Sequence, residues 1–189
     1  MTGAGPALSG WRFEELLASD GAGRLYRGRQ EGLDRTVLLR VLADDAREHD
    51  VAHPHLLALL ARGIDDRRRV LVLVEPVGET LRERLARGPL EAPVAGLVLD
   101  AVLQALDALH HAQVVHGDVR PERIHLGRGG AVKLDAGGLP PLRPEDDAQV
   151  DIRACGRLWC EMLGGSTHDA RAQAVVARAL AVEESARFG

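Results

Sequence analysis

A chain of 189 residues with 46% apolar and 28% charged residues has the composition of a folded globular protein and the length of a single unit, with one core or two small lobes. Its net charge of −4, with Arg67-Arg68-Arg69 offset by Asp65-Asp66, argues against nucleic acid as a partner. Cys155 and Cys160 make no disulfide framework, no uninterrupted apolar run approaches the ~18 residues of a membrane span, and the first residues lack a signal peptide's basic head and apolar core, so a cytoplasmic protein without a span is expected. Lys133 is the only lysine and asparagine is absent, which excludes any mechanism needing an Asn ligand or a second Lys.

In chain order, Trp11 to Leu17 reads as a first strand and Ala18 to Gly23 as a turn. Arg24 to Gly28 is a second strand, and Thr36 to Leu42, rich in Leu and β-branched residues, a third. The charged stretch Asp44 to Asp50 has room for at most a turn or two of helix, and His53-Pro54-His55 punctuates it. Leu56 to Arg62 and Val70 to Val74 complete a small antiparallel sheet of about five strands, which Glu75-Pro76-Val77-Gly78 ends as a hinge. Beyond the hinge the apolar period changes from two to 3.6. Thr80 to Ala86 is a short helix and Pro93 to Gln113 a long one, with Leu97, Val98, Ala101, Val102, Leu106 and Leu109 on its apolar face. A loop with two very short strands follows, then a helix from Asp151 to Met162 that buries Ile152, Leu158, Trp159 and Met162, and a last helix from Ala170 to Ala181. Sheet first and helices second is an α+β arrangement with a lobe change at the hinge.

Five segments in this order resemble the protein kinase fold, of the bacterial eukaryotic-like Ser/Thr type. They are the strand-turn-strand from Arg12 to Gly28, the strand Thr36 to Leu42, the run Leu109 to Pro121 with His116-Gly117-Asp118, Asp151 to Gly156, and Ala177 to Leu180 with Arg187-Phe188. The resemblance implies one kinase-like domain over residues 1–189, with a small β lobe at about 10–75, a hinge at 76–79 and a mainly helical lobe at 80–189. It also implies that the helix carrying the family's glutamate is largely missing between Leu42 and His53, which makes the domain unusually compact.

Set against that pattern, most of the chemistry is altered. Of the three glycines of the first turn, whose places fall at Ala18, Asp20 and Gly23, only Gly23 remains; Asp20 brings a negative charge toward the phosphates, and Gly21 with Gly23 suits an ordinary hairpin turn. The strand lysine is Arg40, with Glu48 its nearest candidate partner. Leu38 stands where a small residue covers the adenine ring and His125 where an apolar residue floors it, so the base site is expected to be filled from above and polar below. Asp118 matches the catalytic base, but the metal-binding asparagine is Arg123, a cation that would repel magnesium. An ungapped count from Asp118 places Ala136-Gly137-Gly138 on the D-F-G signature and leaves no metal ligand, whereas a one-residue deletion at Gly127 to Gly130 would put Asp135 there.

From Ala136 to Val150 there is no Ser, Thr or Tyr, so this loop cannot be switched by phosphorylation, and Gly117 replaces the arginine that would receive the phosphate. Arg143-Pro144-Glu145 suggests a remnant in which Glu145 pairs with Arg187. These departures imply a catalytically inactive domain, a pseudokinase, serving as a protein-binding or regulatory scaffold with no ATP or magnesium cofactor. Its partner is another protein of unknown identity, or a second copy docked through the small lobe where the helix is missing. The alternative is a minimal Ser/Thr kinase or ATP-binding protein that uses Asp118, with Asp135 or Glu122 recruited to hold metal. A metal site built from His49, His53, His55, His110 and His111 lacks regular ligand spacing.

Overall fold

β-Branched and leucine-rich runs build a five-stranded antiparallel sheet in the computed structural model, which describes residues 8–76, 78–143 and 147–165. Strands β1 (Trp11–Asp20), β2 (Gly23–Gln30) and β3 (Arg35–Leu42) form a meander. β5 (Arg68–Val74) pairs with β3, and β4 (Leu59–Asp65) takes the outer edge, in the order β1-β2-β3-β5-β4. Val37, Leu39 and Val72 pack with Trp11, Phe13 and Tyr26, while Leu38 and Leu73 pack with Leu25 and Leu57 in a separate cluster. Because both faces of β3 and β5 are covered, the two strands read as continuous apolar runs instead of alternating.

The first hairpin is tighter than its sequence suggests. β1 and β2 pair out to Asp20 and Gly23, leaving a turn of only Gly21 and Ala22. Gly23 adopts φ 128°, and a Cβ there would run into the Val41 carbonyl. Gly21 has no positive φ, so the expected division of labour between the two glycines is corrected: Gly23 alone carries the left-handed backbone.

No helix forms between β3 and β4. The segment is irregular instead, with turns at 44–45 and 54–55, Arg47 bridged to Leu139 and Leu56 to Leu134. Ala46 packs on Leu42 and Leu71, and Leu57 joins Leu25, Leu38 and Leu73. The stretch therefore covers part of the sheet face that the missing helix exposes.

The large lobe begins with β6 (Gly78–Thr80), which pairs with β7 (Ile124–Gly127), itself paired with β8 (Val132–Leu134). Thr80 caps α1 (Leu81–Leu85) through a reciprocal capping box with Glu83. Helices α2 (Ala92–His111) and α3 (Gln149–Met162) enclose the main core. On α2 the buried line is Ala95, Val98, Ala101, Val102, Ala105, Leu106 and Leu109. Leu97, expected on that face, is 72% exposed, because alanines occupy the core line and the adjacent leucine is left a quarter-turn away. On α3 the buried face is Asp151, Ala154, Cys155, Leu158 and Met162, with Ile152 and Trp159 only half-buried. Burial pushes the Cys155 thiol up to about 12, which makes it inert.

Among the described residues only α2 is long and apolar enough to cross a membrane, and its buried face belongs to the core. The expected helix at 170–181, the tail near Arg187 and the Glu145–Arg187 pair lie outside the described residues.

Leu106, 1% exposed, and Leu97 make a paired test of this packing. Leu106→Ala is expected to lower stability by about 2–5 kcal/mol and Leu97→Ala by less than about 0.5 kcal/mol, read from urea unfolding midpoints.

Candidate functional site

Six charged side chains from both lobes meet where the hairpin tip, β3 and the loop after α2 converge. Asp20 is aimed inward by its own turn, its carboxylate accepting the Ala22 N–H at 3.0 Å. Arg40 on β3 donates to Asp20 at 3.3 Å and to Asp135 at 2.6 Å. Arg120 reaches Asp20 and Asp118, each at 2.9 Å. Arg123 lies among all three carboxylates, at 3.1 Å from Asp118 and 3.3 Å from both Asp20 and Asp135. Three guanidiniums face three carboxylates, every Asp touches at least two Arg, and the group is neutral as a whole.

Burial makes this matching obligatory. Arg40, Arg123 and Asp135 are each about 1% exposed, where a lone charge is very costly. Burial by itself pushes the Asp135 carboxyl up, but the cations of Arg40 and Arg123 outweigh it and hold it well below the usual carboxylate range. Burial likewise opposes the Arg123 cation, and Asp135, Asp20 and Asp118 outweigh it, so its pKa is raised.

The loop that presents Asp118 is pinned from below. The Asp151 carboxylate at the start of α3 accepts the His116 and Gly117 N–H groups, both at 2.8 Å, and contacts the His110 ring at 2.8 Å. The fully buried His116 ring accepts the Asp118 N–H on Nδ1 at 3.1 Å, so its Nε2 donates to the Asp135 carbonyl, also 3.1 Å away. Burial, helped by the Arg123 cation, lowers its pKa to about 4. Burial pushes Asp151 up, but the His110 contact and the Gly117 and His116 N–H groups outweigh it and its pKa falls.

Geometry revises several sequence expectations. Asp135, not Ala136, turns its carboxylate toward Arg40 and Arg123, while Ala136 packs in the core; the count is shortened by the tight turn at Arg128–Gly130. Gly138, φ 86°, lies against Arg40 and Leu42, where a Cβ would clash. Glu48 does not partner Arg40: it pairs with Arg69 on β5 at 2.7 Å and Arg62 on β4 at 3.3 Å, where the irregular segment passes that strand pair. Glu122 pairs with Arg82 at 2.7 Å, away from Asp118. Leu38 and His125 do face one cleft but do not close it, and a cavity of about 290 Å³ remains between the lobes. Among the described residues no group of three or more His, Cys, Asp or Glu could hold a metal.

Sequence reading missed two arginines. Arg120 stands two residues after Asp118, and that spacing was the available signal. Arg47 had no local signal: its guanidinium donates to the Pro140 and Val115 carbonyls, each at 2.8 Å, and lies 3.6 Å from where a Gly117 Cβ would be.

Asp118 and Asp135 are oxygen ligands of the right kind, but Arg123 sits between them, and magnesium needs near-octahedral oxygen donors at about 2.0–2.1 Å. Asp20 already accepts from the cations that phosphate oxygens would need.

An antiparallel sheet, a hinge, a buried His-x-Asp loop and an arginine on β3 facing an aspartate after β8 define a protein kinase-like domain of α+β class. Known relatives agree, since those that match this kinase-like domain are Ser/Thr protein kinases. It is 39% identical over 149 residues to serine/threonine-protein kinase PknL of Mycobacterium bovis, a match covering 69% of this chain and 37% of that protein. It is 30% identical over 140 residues to PknJ of Mycobacterium tuberculosis, covering 66% and 24%, and 32% identical over 131 residues to pkn3 of Myxococcus xanthus, covering 60% and 24%. The chain thus spans well under half the length of these relatives. No protein-family model matches it.

Arg123→Ala leaves buried Asp135 with one cation fewer and is expected to cost about 3–5 kcal/mol in urea unfolding. The buried histidines predict a pH dependence. His116, and with it His49 and His125, whose pKa values burial also lowers, stays neutral in the fold while the unfolded chain takes up protons below about pH 6.5. Stability is therefore full above that pH and falls as pH drops from about 6.5 toward 4. The lowered Asp135 and Asp151 extend the loss further into acid. A lower urea midpoint at pH 5 than at pH 7.5 is expected, and equal midpoints would contradict the burial account.

Proposed function

We propose that the chain is a catalytically inactive protein kinase-like domain, a pseudokinase, acting as a protein-binding or regulatory scaffold. The observation that carries this reading is the neutral six-residue ion cluster. Asp20 stands in for phosphate oxygens, the Arg123 guanidinium takes the place of a metal ion, and both oxygens of Asp118 are held by arginines. Phosphoryl transfer needs an accessible base and metal-neutralised charge; here arginines occupy both oxygens of Asp118 and the place of the metal. The partner in this reading is another protein. A second copy docked through the small lobe is one form of it, supported by the edge strand β4, where Ile64 is 72% exposed.

A second reading, a minimal kinase or ATP-binding protein, is favoured by the survival of both Asp118 and Asp135 and by the cleft left open between Leu38 and His125. One titration separates the two. Because a bound ligand stabilises the folded state, millimolar ATP with magnesium is expected to leave the melting temperature unchanged and to give no phosphate transfer. A rise of several degrees, or magnesium-dependent phosphorylation abolished by Asp118→Asn, would establish the second reading instead. Light scattering at high concentration tests the dimer: a monomer at all concentrations would remove it.

A further inference from the structure

A second cavity lies where the segment between β3 and β4 passes β4 and β5. Leu57, Leu71 and Leu73 wall it, and the backbone of Ala136 to Gly138 lines it from the large lobe. His49 offers it no free polar group: its Nδ1 accepts the Val51 N–H at 3.1 Å and its Nε2 donates to the Ala136 carbonyl at 3.0 Å. The mouth is open, since Asp50, Ala52, Ala58 and Leu59 line the cavity and are exposed. A volume of about 280 Å³ is too small for a helix, which is about 10–12 Å across with its side chains, but it suits one large apolar side chain.

Leu59 at that mouth is also the first residue of β4, the outer edge of the sheet. An edge strand leaves a row of N–H and C=O groups without a ladder partner. From Ala61 to Asp65 the ladder with β5 is regular, and no proline or lysine guards the strand. Leu59, Leu60 and Ile64 are 36%, 37% and 72% exposed along it. Main-chain groups for an added strand and a pocket for one of its side chains therefore lie side by side.

Charge decides what kind of strand fits. Asp50 is the charged residue that lines the pocket; its side chain is 87% exposed, and Arg62 takes its Oδ1 at 2.6 Å. Along the same stretch Asp44, Asp45, Glu48 and Asp50 outnumber the guanidiniums of Arg62 and Arg69, four to two, because Arg47 turns to the Pro140 and Val115 carbonyls. Neither Arg62 nor Arg69 is free, since Glu48 holds both and Asp50 also holds Arg62. A second copy would bring the same acidic stretch against this one, like charge to like.

We propose that β4 takes up an extended segment of another protein, in which one large apolar side chain enters the pocket and lysines or arginines flank it. The inference rests on the reading above that the partner is another protein.

Fluorescence-anisotropy titrations of the whole chain test this with a short labelled peptide that alternates lysine and valine around a central phenylalanine. Its controls are the same peptide with glutamate for lysine, and the lysine peptide with its backbone N-methylated. Ala52 is exposed and lies outside the sheet, so Ala52→Trp covers the mouth, while Ile64→Lys adds a positive charge to the edge. Saturable binding of the lysine peptide is expected, at least about tenfold tighter than either control. It is lost in Ala52→Trp and weakened in Ile64→Lys, both of which melt at the parent's temperature. No binding of the lysine peptide overturns the proposal and leaves standing the inactive-domain reading, which the ATP titration decides. Equal binding of the glutamate peptide overturns the charge assignment, equal binding of the N-methylated peptide overturns strand addition, and binding that survives Ala52→Trp overturns the use of the pocket. Dimerisation of the chain that Ile64→Lys abolishes overturns the choice of partner and gives the edge to a second copy.

Discussion

Everything distinctive about this domain follows from the need to neutralise two buried arginines. Arg40 and Arg123 are both sequestered at about 1% exposure, and carboxylates from distant parts of the chain reach each of them and offset the cost of burying its charge. Asp20 comes from the hairpin tip of the small lobe, Asp118 and Asp135 from the large lobe. The ions that satisfy the arginines are thereby the ions that hold the lobes together. Such a cluster is not a large source of net stability, since desolvation offsets much of the Coulomb gain, but removing one member leaves a charge stranded.

The rest of the fold holds those six side chains in register. The two-residue turn at Gly21-Ala22, permitted by the backbone of Gly23, directs Asp20 inward. Asp151 and His116 fix the loop carrying Asp118, and the short return at Arg128–Gly130 sets Asp135 rather than Ala136 opposite Arg40. Arg47, from the irregular stretch that replaces a helix, ties the small lobe to the backbone at Val115 and Pro140. These contacts to carbonyls need no phosphate to form, which suits a loop without Ser, Thr or Tyr among residues 136–150.

Local signals made the architecture legible in the sequence. The change of apolar period at the hinge separated sheet from helices, and the His116-Gly117-Asp118 segment with Asp151 identified the kinase-like lobe. The substitutions at Asp20, Arg40 and Arg123 were visible one by one as losses. Their pairing was not, because Asp20 and Arg120 are 100 residues apart and no periodicity encodes such a contact. Register after Asp118 stayed open in the sequence, between Ala136 and Asp135, because one residue of turn length decides which side chain faces inward. Leu97 was assigned to the core because leucine outweighs alanine in any apolar count, although alanines at 101 and 105 are what let α2 pack closely.

The central claim is that Asp20 and Arg123 are energetically coupled across the lobes. A double-mutant cycle with Asp20→Asn and Arg123→Gln, read from urea unfolding, measures this directly. The account predicts a coupling of at least about 1 kcal/mol, with the double variant less destabilised than the sum of the single ones. Additivity within about 0.3 kcal/mol would contradict it and reduce the cluster to a coincidence of neighbouring charges.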